Sequence, residues 1–270
     1  MQRVLPRAPA ALRGSVTVPG DKSISHRAVI FSALAEGTAL MSNFLTGADC
    51  LSTIACMQAL GVTVERSDTT VQVVGVGVRG LHEPANVLDC GNSGTTLRLL
   101  TGVLAGQSPA LFAVLTGDAS LRSRPQRRVV VPLRTLGAQI DGRETGERAP
   151  LAVRGRDLRG GTFHLPIASA QVKTALLLAA LSGTEPLTLT GRLDSRDHTE
   201  RMLAAMGADI QVQAEQITLY PPRMHGRTEL AAQSFRIPGD PSSAAFWWVA
   251  AAIHPDAELT FESLVSIAID

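Results

Sequence analysis

The feature that most constrains this chain is that it repeats. A helix-ending phrase occurs three times, as ALGVTV at 59–64, TLGAQI at 135–140 and AMGADI at 205–210, with its glycine at Gly61, Gly137 and Gly207. Each is read as a helix whose C-cap glycine turns the chain into a strand. Between them lie three alternating segments that end in turns: VQVVGVGVRG at 71–80, LAVRGRDLRG at 151–160 and ITLYPPRMHG at 217–226. A third phrase, a small or polar turn opening an apolar helix, comes four times, near Ser23, Ser93, Ser169 and Ser243, at steps of 70, 76 and 74 residues. Such a period marks a repeated supersecondary unit. The unit reads as a loop-started helix, a strand, a second helix ending at the glycine, and further strands, which is an α/β repeat. Three units are complete, and a fourth begins at Pro238. The repeat also disposes of GVGVRG at 75–80, which has the glycines of a dinucleotide fingerprint but is followed by LHEPANV, with a proline where that fingerprint needs a helix. It is read as a strand-terminal turn.

Charge then narrows the partners. The chain of 270 residues carries 25 Lys and Arg against 24 Asp and Glu, a net charge of +1, which gives no overall field for nucleic acid or a membrane surface. Aromatic residues are only 4%, too few for base-stacking platforms. The basic residues are instead clustered, in Lys22/His26/Arg27, Arg122/Arg124/Arg127/Arg128, Arg154/Arg156/Arg159 and Arg196/His198/Arg201. Small anions are the ligands this pattern suits. The longest apolar runs, TALLLAALSG and AAFWWVAAAI, are far shorter than the roughly 18–20 residues of a membrane span. Three cysteines, none in a CxxC spacing, and an opening MQRVLPRAPAALRG without an apolar stretch point to a reduced cytoplasm.

The clusters fall at helix starts, where unpaired N–H groups and the helix dipole favour a phosphate or carboxylate. In GDKSISHR, Lys22, Ser23, Ser25 and Arg27 add donors, and Arg27 lies on one helical face with Ser23. Taken alone, Ser23 would be an N-cap serine beside a solvated Lys and Arg. In DCGNSGTTLR, Gly91 and Gly94 let the backbone approach a ligand, with hydroxyls on Ser93, Thr95 and Thr96 and with Arg98 one turn on; without GKS/T it is no nucleotide P-loop. GDASLRSRPQRR brings four arginines just before the next helix; Arg127 and Arg128 are read as ordinary surface charges. IASAQVKTALLL and SRDHTERML place Ser169, Gln171, Ser195, Arg196 and His198 at further helix starts, with Asp197 either a cap or a ligand. His198 reads more readily as a cap or surface residue than as a catalyst, and no His/Cys/Asp spacing makes a metal site. If the repeats stand about a pseudo-threefold axis, these helix ends converge on one polyanion site.

In this order GDKSISHR, GNSGTTLRLL, GDASLRSRP, ASAQVKTALLLA, SRDHTERML and GDPSSAAF resemble the 5-enolpyruvylshikimate-3-phosphate (EPSP) synthase family, the 3-phosphoshikimate 1-carboxyvinyltransferases, over about Val16 to Leu259. The resemblance implies a fold of βαβαββ units, an inside-out α/β barrel, of which this chain holds three complete units and the start of a fourth. It implies a first domain over 14–235, with 1–13 and 236–270 an incomplete part of a second. It implies transfer of the enolpyruvyl group of phosphoenolpyruvate to the 5-hydroxyl of shikimate 3-phosphate, with release of phosphate and without metal or organic cofactor, by a protein that is a monomer when intact. Carried over by position, Lys22 bridges both substrates. Ser23, Arg27, Ser169, Ala170, Gln171 and Arg196 bind shikimate 3-phosphate, and Asn92, Gly94, Thr95 and Arg124, with Gln171, bind phosphoenolpyruvate. The small Gly94 implies a site that admits the inhibitor glyphosate.

Two departures accompany the resemblance. The family's acid/base carboxylate and further phosphoenolpyruvate-binding Lys and Arg fall beyond Asp270, so turnover by this chain alone is not expected. The tail LTFESLVSIAID does not continue as the family's next strand and NPTR-like turn, which reads as a frameshift or early stop, and the strand at 257–262 is expected to lack partners. Two rival readings remain: a non-catalytic fragment over 14–235 that holds shikimate 3-phosphate, and the sister enzyme acting on UDP-N-acetylglucosamine. Against the sister stand Ser23, where it has asparagine, and the absence of cysteine from 118–128.

Overall fold

A computed structural model of the chain describes residues 10–107, 111–224, 229–264 and 268–269. The leader at 1–9, the last two residues of the third alternating phrase and 265–267 of the tail lie outside the described residues.

The first unit follows an opening strand β1 (Leu12–Thr17) and runs α1 (Lys22–Ala33), β2 (Glu36–Ser42), α2 (Ala48–Ala59), β3 (Thr63–Ser67) and β4 (Thr70–Val76). The second runs β5 (Leu88–Asp89), α3 (Gly94–Ala105), β6 (Phe112–Thr116), the short α4 (Ala119–Ser123), α5 (Arg127–Thr135), β7 (Gln139–Gly142), a single turn α6 (Arg143–Gly146) and β8 (Arg148–Arg154). The third runs β9 (Gly161–Leu165), α7 (Ala170–Leu181), β10 (Leu187–Gly191), α8 (His198–Ala205), β11 (Asp209–Val212) and β12 (Gln216–Tyr220). After it come β13 (Phe235–Arg236), α9 (Pro241–Ile253), β14 (Ala257–Glu262) and β15 (Ala268–Ile269). The expected helix, strand, helix, strand-pair order is present three times.

The two helices of each unit differ because their sequences differ. α1, α3 and α7 bury ten, eleven and ten of their twelve residues. They are buried almost all round, as helices enclosed within a core are, with the polar residues of α1 buried as well. α2, α5 and α8 bury only one face, and each ends at a glycine in left-handed backbone, Gly61 (φ +92°), Gly137 (φ +97°) and Gly207 (φ +87°), as the C-cap reading expected. The close approach of α3 to α7 depends on Gly102, where a Cβ would come 2.8 Å from the Ala175 Cα.

The sheets share one topology. In the second unit the order is β5-β6-β8-β7 and in the third β9-β10-β12-β11, the first pair parallel and the others antiparallel. The first unit's sheet is β15-β13-β2-β4-β3, so the place held elsewhere by the unit's own leading strand is taken by β13, parallel to β2. β1 pairs instead with β14, in parallel over 12–17 and 257–262. The strand at 257–262 therefore has a partner, contrary to expectation, because the chain's opening segment folds beside it. Where the two connections cross, the Asp21 N–H donates to Pro238 O at 2.7 Å and the Asp240 N–H to Pro19 O at 2.9 Å. No helix among the described residues is long and apolar enough to cross a membrane.

Candidate functional site

The first turns of the three buried helices meet. Ser23 and Arg27 of α1, Thr95 of α3, and Ser169, Ala170 and Gln171 at the start of α7 line one cavity of about 210 Å³ together with Arg196 from the loop before α8. Ser23 does not cap its helix: the cap is Asp21, whose Oδ1 accepts from the Ile24 N–H at 2.8 Å, because the aspartate precedes the first helical residue and Ser23 follows it. The Ser23 hydroxyl is thereby left to accept from Arg196 Nη1 at 3.0 Å, across 173 residues of sequence. Ser93 and Ser169 do cap α3 and α7.

Arg27 is 3% exposed. Its Nε donates to Thr199 Oγ1 at 2.8 Å, Nη2 to Thr174 Oγ1 at 2.7 Å and Nη1 to Ser23 O at 2.9 Å. Burial lowers its pKa to about 10, with Asp21 and Glu200 acting the other way and Arg196 adding to the lowering. Its hydrogen-bond partners are thus hydroxyls and a carbonyl, which fix the guanidinium, while Asp21 and Glu200 act on it without pairing with it.

Beside this cavity the phosphoenolpyruvate candidates form a second cluster. Asn92 holds Arg124 twice, its side-chain oxygen accepting from Nη2 at 2.5 Å and its carbonyl from Nη1 at 3.1 Å. The Asn92 amide in turn donates to Asp118 at 2.6 Å, and that hydrogen bond, more than any other influence, lowers the Asp118 pKa. Gly94 sits between two guanidiniums: a Cβ there would lie 2.8 Å from Arg98 Nη1 and 3.5 Å from Arg124 Nη1. Arg98 donates to Gln126 at 3.0 Å and to Gln171 at 2.8 Å, while Gln171 donates to Thr95 at 3.0 Å. Burial lowers the Arg98 pKa to about 10, and Arg128 and Arg124 lower it further by repulsion. Among the described residues no ion pair neutralises Arg27, Arg98, Arg124, Arg128 or Arg196. Lys22 is the exception, half-exposed and paired with Asp49 at the start of α2.

Some sequence expectations need correction. Arg127 is the exposed partner of Glu147, as a surface charge should be, but Arg128 faces the site, its Nη2 3.3 Å from Gln171 Oε1. Both belong to the first turn of α5 and do not precede it. Asp197 occupies the cap position of α8 without a capping hydrogen bond, and His198 is half-buried with Nδ1 unpartnered, neither cap nor surface residue. Several groups that hold the site were not foreseen: Thr174 and Thr199 behind Arg27, Asp49 beside Lys22, and Gln126, which with Gln171 holds Arg98. Arg98 itself left a signal in the sequence, one helical turn after Gly94. Among the described residues no cluster of His, Cys, Asp and Glu could hold a metal ion.

Helices within, sheets without, and three helix starts that meet at one cavity lined by Arg27 and Arg196 define the class: an inside-out α/β repeat protein with a cationic central cavity. A family model described as EPSP synthase (3-phosphoshikimate 1-carboxyvinyltransferase) matches residues 6–266. A 3-phosphoshikimate 1-carboxyvinyltransferase of Chloroflexus aurantiacus is 68% identical over 96% of this chain and 59% of its own length. One of Roseiflexus castenholzii is 70% identical over 94% of this chain and 58% of its own length. A solved EPSP synthase of Acinetobacter baumannii superposes with a TM-score of 0.84 at 42% identity, over 94% of this chain and 56% of that one. The chain belongs to the EPSP synthase family and has its fold. It spans a little over half the length of the curated relatives it matches.

Proposed function

We propose that this chain binds shikimate 3-phosphate and phosphoenolpyruvate for transfer of the enolpyruvyl group to the 5-hydroxyl of the former, with release of phosphate. The observation that carries this reading is the convergence of three helix starts on Arg27, Arg98, Arg124 and Arg196, cations without carboxylate partners among the described residues. Bringing two anions together is the part of such a reaction that fixed cations and N–H groups can accelerate, by cancelling repulsion and orienting the reacting atoms. In this reading Ser23, Arg27, Ser169, Ala170, Gln171 and Arg196 hold shikimate 3-phosphate. Asn92, Gly94, Thr95 and Arg124 hold phosphoenolpyruvate, Gln171 reaches both ligands, and Lys22 leaves Asp49 to bridge them.

The domain division at 14–235 follows the three sheets, adjusted by strand pairing: β1 goes with β14 and α9, and β13 completes the first sheet. The near-zero net charge supports small-molecule partners over nucleic acid or a membrane surface; the cytoplasmic reading rests on the cysteine spacing and the monomeric intact form on the family resemblance. A ligand that binds only the folded state raises its melting temperature in proportion to ln(1 + [L]/Kd). Shikimate 3-phosphate is expected to raise the Tm of the chain with increasing concentration, and UDP-N-acetylglucosamine to leave it unchanged. The reverse pattern would reject the assignment.

A further inference from the structure

Lys173 contributes no atom to the wall of the anion cavity, yet it is 1% exposed, and its partner Glu200 is 4% exposed. Nζ meets Glu200 Oε1 at 2.5 Å and donates to the backbone carbonyls of Leu193 at 3.5 Å and Ser195 at 3.4 Å. An ammonium has three donors and no acceptor, so these contacts use all of it. Each end of the arrangement touches the site. Lys173 stands two residues beyond Gln171 on α7. Glu200 follows Thr199, which holds Arg27. Leu193 and Ser195 lie in the loop that carries Arg196.

The loop's other ties are the Arg196 side chain to Ser23, the exposed Arg192–Asp194 pair, Leu193 against the core, and a few backbone bonds. It is tied at its start by the Arg192 N–H to Leu165 O at 2.9 Å, and at its far end the Asp197 carbonyl accepts from the Arg201 N–H at 3.1 Å. Its other backbone bonds are local, Leu193 N–H to Gly191 O and Ser195 N–H to Leu193 O. Across Leu193–Ser195, the hydrogen bonds to another element among the described residues come from Lys173. A cavity of about 390 Å³ lies against the same loop, and Leu193 packs against the core, so apolar contact anchors the loop at Leu193 while the lysine adds polar ties at Leu193 and Ser195. Stability does not account for the lysine, since a buried ion pair is commonly matched or bettered by apolar residues of the same volume. In VKTALLLAAL every other neighbour chose that solution except Thr174, which holds Arg27.

We propose that Lys173 is a positioning residue of the anion site: from beneath, it fixes the loop 192–197 so that Arg196 is presented to the ligand, with Glu200 locking α8 to α7. The proposal rests on the reading that this cavity binds shikimate 3-phosphate. Lys173→Met alone would strand a buried carboxylate and unfold the site, so the test is the volume-matched pair Lys173→Met/Glu200→Leu in the full chain. Its melting temperature is expected to stay near that of the parent. Without ligand, amide hydrogen exchange at 192–197 is expected to quicken at least tenfold while α7 and α8 keep their protection; unchanged exchange in the loop overturns the proposal. With ligand, shikimate 3-phosphate affinity is expected to fall about tenfold, the worth of a hydrogen bond to a charged group. That loss should vanish in an Arg196→Ala background; an undiminished loss there means that Lys173 acts on the fold at large and also overturns it. If the parent chain binds no shikimate 3-phosphate, the functional reading fails, and the exchange measurement still decides whether Lys173 holds the loop.

Discussion

Arg27 and His26 are adjacent and both buried, and they handle burial in opposite ways. Arg27 keeps its charge: burial lowers its pKa only to about 10, with Asp21 and Glu200 opposing the fall, and three oxygen acceptors hold its donors. His26 gives its charge up: burial first, and then Lys22, lower its pKa to about 3. Its Nδ1 meets Thr53 Oγ1 at 2.7 Å, and hydroxyl contacts continue to Thr96 and Ser93 beneath the start of α3. A histidine with a lowered folded pKa takes up a proton only on unfolding between pH 6.5 and 3, so stability is lost as pH falls through that window, by about 1.4 kcal/mol per pH unit. Urea unfolding at pH 7 and pH 5 is expected to show this slope reduced in His26→Asn; an equal slope in the variant would contradict the assignment. The candidate residues were legible because Lys22, Ser23, Arg27, Gly94 and Gln171 are types suited to anions and stand at helix starts. Thr174, Thr199, Asp49 and the Lys173–Glu200 pair were not, because each acquires its role only from a neighbour on another element that packing brings to it.

Among the elements, α1, α3 and α7 were read as apolar helices opened by polar turns, and the three C-cap glycines fixed where their companions end. Both signals are local, so the sequence could carry them. Strand pairing is not local. Nothing in FR at 235–236 says that it joins β2, nor in LRGSVT that it joins β14. α4 was missed because it spans only five residues under the Asp118 cap, too short for a period to show. The inside-out build predicts that the central helices tolerate no added volume where they touch. Gly102→Ala drives its methyl into the Ala175 backbone and is expected to cost about 1–3 kcal/mol in denaturant unfolding while leaving the helix's own propensity improved. A neutral or stabilising result would mean that α3 and α7 are not held in this contact.

For the whole molecule, the three units form a closed set, whereas α9 carries exposed Phe246 (81%), Val249 (59%) and Ile253 (79%) on one face. An apolar face of this kind exposed to water is a site of association. The 270-residue chain is expected to sediment above 28.4 kDa as its concentration rises, and Phe246→Lys/Ile253→Lys to return it to that mass; concentration-independent sedimentation of the parent would contradict this. The central claim is that three helix starts make one anion site, and titration calorimetry tests it directly. Shikimate 3-phosphate is predicted to bind the chain saturably, about a hundredfold more weakly after Arg27→Ala, the loss of a buried charge that holds an anion. UDP-N-acetylglucosamine is predicted to give no heat. A folded chain that takes up no shikimate 3-phosphate, or binds it equally well without the Arg27 guanidinium, would contradict the account.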